Sequence, residues 1–227
     1  MIADLHEHHL TVARTARYYT IGRPHAEVRD VWIACHGFGQ LASRFLRHFT
    51  ALASPRRLIV APEALSRYYL DSGPGIHGPH SQVGATWMTR EDRLSEISDY
   101  VGYLDALYDQ LFAELDRTRV TVTVLGFSQG VATVTRWLTA GRARADRMIM
   151  WGGALPHDID LAAARDRLAA LDLTIVNGRE DTLLTHETVQ ALAEQLDRHG
   201  IPHRRLEFIG GHRLDDELLA SLAVTPG

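Results

Sequence analysis

The chain has 227 residues, 45% of them apolar and 23% charged, and a net charge of −4, which leaves no basic footprint for nucleic acid. That length holds one sizeable core, and no apolar run reaches the ~18 residues of a membrane span. All 24 Lys+Arg residues are arginine, so Schiff-base lysine chemistry, pyridoxal phosphate, a Walker A loop and an S-x-x-K nucleophile are excluded.

Residues 8–14 and 16–21 read as two short strands of a hairpin, after a solvated start containing His6, His8 and His9. That start has neither the basic nor the apolar region of a signal peptide. Val28–Cys35 reads as a stronger strand, ending in His36-Gly37-Phe38-Gly39-Gln40 and followed by a helical segment near 41–53. Cys35, the only cysteine, is expected to be a buried, inert thiol. A single cysteine excludes an intrachain disulfide and accords with a reducing cytoplasm, the expected location. Arg57–Ala61 is a short buried strand closed by Pro62. Residues 63–88 look irregular, a long loop with the composition of a lid or pocket wall, carrying Tyr68, Tyr69 and His77.

The clearest helix follows. Leu94, Ile97, Val101, Leu104, Tyr108, Leu111 and Leu115 recur at steps of three and four, and Thr89 with Asp92 forms a capping pair at its start. Arg119–Leu125 alternates β-branched residues and runs into Gly126-Phe127-Ser128-Gln129-Gly130, then a helical run from Val131. Further on come a strand at 147–151, a helix near 160–170, a strand at 173–176 and a helix over 185–199. The chain closes with a strand at 203–209 and a helix near 214–223. Alternation from residue 28 onward implies one α/β domain with a mostly parallel, doubly wound sheet, covered on both faces.

A strand turning sharply into a helix around G-x-S-x-G is a nucleophile elbow, and it makes Ser128 the candidate nucleophile. In an open parallel sheet, chemistry collects at the carboxyl ends of the strands. Asp181 and His212 end later strands, giving the chain order Ser, Asp, His. Glu180 and Asp158 compete with Asp181 for the acid. His203 and His199 are weaker choices than His212, one at the wrong end of its strand and one ending a helix. The backbone amides of Phe38 and Gln129 are the candidate oxyanion donors.

His36-Gly37-Phe38-Gly39, Ala61-Pro62-Glu63-Ala64, Gly126–Gly130, Gly178–Asp181 and Gly211-His212 together resemble the phospholipase/carboxylesterase group of α/β-hydrolases, which includes the acyl-protein thioesterases. The resemblance spans about residues 28–222. It implies hydrolysis of a small-molecule carboxylic ester or thioester, without a cofactor or metal. The sequence departs from that group at Gly84–Asp92, where Trp87 and Met88 are candidate acyl-pocket residues; the competing reading makes them a cap of the following helix against the sheet. Two other activities stay open: acyl transfer to an acceptor other than water, and ligand binding without catalysis.

Overall fold

A computed structural model describes residues 5–71 and 77–224. Its main sheet has the order β1-β3-β2-β6-β7-β8-β9. The strands are β1 (Tyr18–Ile21), β2 (Asp30–Cys35), β3 (Arg57–Pro62), β6 (Thr121–Phe127), β7 (Arg147–Trp151), β8 (Asp172–Gly178) and β9 (Arg204–Phe208). All neighbours are parallel except β1, which runs antiparallel to β3. Two further strands, β4 (Ser66–Tyr69) and β5 (Val83–Thr86), form a separate antiparallel pair.

Strand parity divides the core. Ile33 and Cys35 of β2, Val122 and Val124 of β6, and Met148 and Met150 of β7 face one cluster. Trp32, Leu125, Phe127, Ile149 and Trp151 face the other. The first face is covered by α2 (Arg93–Phe112), α3 (Gln129–Ala140), α4 (Leu161–Ala169) and α5 (His186–Arg198). The second is covered by α1 (Ala42–Phe45), a 3₁₀ segment over Leu46–Leu52, and α6 (Asp216–Leu222). Both faces of the central strands are therefore dry, as a parallel sheet requires. No helix among the described residues is long and apolar enough to cross a membrane.

Four expectations need correction. Residues 8–14 form no strand and there is no N-terminal hairpin; only Tyr18–Ile21 pairs, with β3. The segment before it is fastened by side chains instead, Arg17 Nε donating to Glu63 Oε1 at 2.5 Å and Arg14 donating to the Leu65 carbonyl. The 63–88 segment is not irregular throughout, because β4 and β5 pair within it; its Gly73-Pro74-Gly75 portion lies outside the described residues. Leu94 is not core: at 71% exposure it sits in the first turn of α2, whose buried stripe runs through Tyr100, Leu104, Leu107 and Leu111. Asp92 and Thr89 do not cap that helix as expected. The Glu96 carboxylate instead takes the Thr89 amide at 2.6 Å and the Ser66 hydroxyl at 3.3 Å, tying the hairpin to the helix start.

Candidate active site

Ser128 lies between β6 and α3 with φ 54° and ψ −117°, a region that side chains strain to adopt. The turn is so tight that its flanks admit no side chain. A Cβ on Gly126 would lie 2.4 Å from the Gly130 carbonyl oxygen, and one on Gly130 would lie 2.2 Å from that of Cys35. The Ser128 amide donates to the Trp151 carbonyl at 2.9 Å, fixing the turn against β7.

Asp181 follows β8 and His212 follows β9. Backbone bonds join their two loops: Arg179 N donates to Phe208 O and Glu180 N to Gly210 O, each at 2.9 Å. His212 Nδ1 is 2.7 Å from Asp181 Oδ2, and its Nε2 is 2.9 Å from Ser128 Oγ. Asp181 Oδ1 accepts the amides of Leu183 and Leu184 at 2.8 and 2.9 Å. An ionised carboxylate only accepts hydrogen bonds, so the imidazole carries its proton on Nδ1 and turns a lone pair toward the hydroxyl. The Phe127 ring packs on the imidazole at 5.1 Å, and Trp151 Nε1 holds the Arg213 carbonyl beside it at 3.0 Å. Such a relay can take the hydroxyl proton as the oxygen attacks an electrophile.

The competing residues have other partners. Asp158 accepts from Arg136 Nη2 at 2.8 Å and from Arg93 Nη2 at 3.1 Å. The Arg136 bond holds its carboxyl below the usual carboxylate range. Glu180 projects into solvent. His199 and His203 approach the carbonyls of Gln195 and Ile201 through Nδ1. Cys35 is fully buried and burial pushes its thiol up, away from the reactive thiolate.

The 36–40 loop abuts the serine: a Cβ on Gly37 would lie 3.2 Å from Ser128 Cβ. The amides of Phe38 and Gln129 have no partner among the described residues. His36, at the base of the loop, is a buried staple. Its Nδ1 donates to the Gly37 carbonyl at 2.8 Å and its Nε2 accepts the Ala64 amide at 3.1 Å. Burial lowers its pKa and keeps it neutral.

Trp87, a candidate acyl-pocket residue, is buried. It is 2% exposed, its Nε1 donates to the His36 carbonyl at 2.8 Å, and its ring lies between His36 and Tyr100. Met88 is half-buried, its sulfur 3.5 Å from Arg136 Nη1 and its carbonyl held by Gln129 Nε2. A cavity of about 730 Å³ lies elsewhere, between the N-terminal segment and α2, with Leu10, Val12, Trp87 and Tyr103 on its walls and none of Ser128, Asp181 or His212. On its rim, His9 Nε2 sits 3.2 Å from both Glu7 and Asp92, an exposed trio with one metal-ligand atom each. The side-chain contacts of Gln129 and Gln40 escaped sequence reading. Apart from the Thr86 hydroxyl their partners are main-chain carbonyls and amides, and residue types carry no signal for those.

This is a parallel-sheet α/β-hydrolase fold with a serine, a histidine and an aspartate joined at its strand ends. The profile of the Phospholipase/Carboxylesterase family matches residues 16–223, and the chain belongs to that family, a group of ester and thioester hydrolases. The fold is similar to that of Zea mays acyl-protein thioesterase 2, with TM-score 0.68 and 16% identity over 92% of this chain and 96% of that one. It is also similar to a Bacillus cereus carboxylesterase, with TM-score 0.66 and 11% identity over 92% of each chain. A Mesorhizobium loti carboxylesterase gives 0.64 and 18% over 88% and 91%. No protein of curated function matches the sequence.

Proposed function

We propose that this hydrolase is a serine esterase working through an acyl-enzyme on Ser128. The observation that carries the proposal is the continuous relay from Asp181 through His212 to Ser128, at 2.7 and 2.9 Å. Ser128 Oγ attacks the carbonyl carbon of a small carboxylic ester or thioester, and His212 Nε2 takes the proton. The amides of Phe38 and Gln129 stabilise the oxyanion. Collapse of the tetrahedral adduct breaks the bond to the alcohol or thiol, which leaves with the proton returned by His212. Water then repeats the sequence on the acyl group and frees the acid and Ser128.

The test is labelling with a fluorophosphonate followed by peptide mass spectrometry. An adduct on Ser128, absent from Ser128→Ala, is the expected result and also argues against a non-catalytic binding protein. An adduct on another residue, or none, refutes the proposal. Equating acid released with ester consumed distinguishes water from another acyl acceptor.

A further inference from the structure

The loop Gly37–Gln40 spends every amide but one. Gly37 N donates to Gln40 Oε1 at 2.8 Å, Gly39 N to Ala85 O at 2.9 Å, and Gln40 N to Gly37 O at 3.2 Å. Only the Phe38 amide is left without a partner among the described residues. Ala85 N returns a bond to Gln40 O at 3.1 Å, so β5 grips the loop from outside through two main-chain bonds. The grip is close: a Cβ on Gly84 would lie 2.4 Å from the Gly39 carbonyl oxygen. The next residues of the same run meet the other side of the site. Gln129 Nε2 donates to Met88 O at 2.8 Å and to Thr86 Oγ1 at 3.0 Å, while Gln129 Oε1 accepts the Trp87 amide at 3.1 Å. The run 84–88 therefore spans from the Phe38 loop to the residue whose own amide opens α3.

From this geometry we infer that the Gln129 carboxamide is a positioning residue. By clamping 86–88 it fixes the distance between the Phe38 and Gln129 amides, and so the fit of the oxyanion site to a tetrahedral adduct. The inference rests on the reading of Ser128 as nucleophile and of those two amides as oxyanion donors. Its chemistry is specific to a carboxamide. The group must donate to a carbonyl and accept from an amide at the same time, and a carboxylate or thioether cannot do both. A shift of the run moves the Phe38 amide relative to the adduct, and a misplacement near 1 Å costs about 100-fold in rate. The ground-state ester is held more loosely than the adduct, so the loss falls on kcat.

Gln129→Met keeps the main-chain amide and the side-chain length but removes the clamp. Expected are a kcat lower by roughly 10- to 100-fold, a KM within about twofold, and a parallel loss of affinity for a trifluoromethyl ketone, which binds as an oxyanion. Thr86→Val removes one partner of the clamp and should lower kcat less; the double variant should be no worse than Gln129→Met, since both act through one contact. An unchanged kcat in both single variants, a loss confined to KM, or unchanged ketone affinity alongside a lower kcat overturns the inference. If Gln129→Met does not fold, the kcat and ketone affinity of Thr86→Val decide it. Fluorophosphonate labelling of the wild type separates the two levels. Absence of a Ser128 adduct there defeats the nucleophile reading, whereas a labelled wild type with indifferent clamp variants defeats this inference alone.

Discussion

Asp181→Asn probes the relay at its most constrained member. Asp181 Oδ1 accepts two backbone amides, from Leu183 and Leu184, and Oδ2 faces His212 Nδ1. An asparagine has one accepting oxygen and one donating NH₂. The two amides select the orientation with the oxygen toward them, because the flipped side chain sets its NH₂ against two N–H donors and forfeits both bonds. The NH₂ then points at His212 Nδ1 and requires it to accept. The proton must move to Nε2, which now points a hydrogen at Ser128 Oγ and can no longer take one. The expected cost is about 10⁴ in kcat, roughly 5.5 kcal/mol of transition-state stabilisation, with little change in thermal stability. Glu180 cannot take over, since its amide is fixed to Gly210 O and its side chain leaves the site. Steady-state hydrolysis of p-nitrophenyl acetate, alongside a thermal melt, measures both quantities. A variant within tenfold of wild-type kcat refutes the tautomer argument.

Three more outcomes follow from single contacts. Ser128→Gly removes the proposed nucleophile but relieves the φ of 54°, so it should be more stable than Ser128→Ala by about 1 kcal/mol in urea unfolding. Trp87→Ala truncates a buried ring and strips the His36 carbonyl of its donor; about 3–5 kcal/mol of stability should be lost, with the ranking of acetate through octanoate esters unchanged. Asp158 bonded to Arg136 has a depressed folded pKa, so its stabilisation is present above the ordinary carboxylate value and is lost as pH falls through the folded one. The gap in melting temperature between wild type and Asp158→Asn should hold at pH 7 and pH 5 and close below about pH 4; a constant gap contradicts the ion-pair account.

The elbow was legible because everything that makes it is local. A run of alternating β-branched residues, two glycines bracketing a serine and an apolar helix start all fall within a few turns of chain, and β6 and α3 begin and end close to where the pattern puts them. The hairpin was not legible for the opposite reason. β4 and β5 are four residues each, and the chain between them is too long for a two-residue turn signature to pair them. Residues 8–14 alternate as a strand does, yet only Tyr18–Ile21 finds an edge to pair with, on β3. The choice between Glu180 and Asp181 was open in the sequence. It turns on a main-chain bond from Glu180 to Gly210 that orients one neighbour inward and the other out. Trp87 looked like a pocket residue because it is large and apolar in a polar stretch. Its partner, the His36 carbonyl, is 51 residues away and is main chain.

That dependence on main-chain partners explains how a fold of this kind persists at 16% identity with a TM-score of 0.68. Gly39 to Ala85, Ser128 to Trp151 and Glu180 to Gly210 are bonds between backbone groups. They ask of the sequence only that no side chain intrude, and glycines at 84, 126 and 130 meet that condition where the approach is closest. Side-chain identity is demanded at few points: the hydroxyl, imidazole and carboxylate of the relay, and the carboxamide of Gln129. Substitutions spread over the helices and outer loops leave these bonds intact, whereas any side chain at position 130 would meet the Cys35 carbonyl and push α3, with the Gln129 amide, off the sheet. Gly130→Ala should therefore damage folding and the site together, and a well-folded, active Gly130→Ala would show that the elbow has slack the geometry denies.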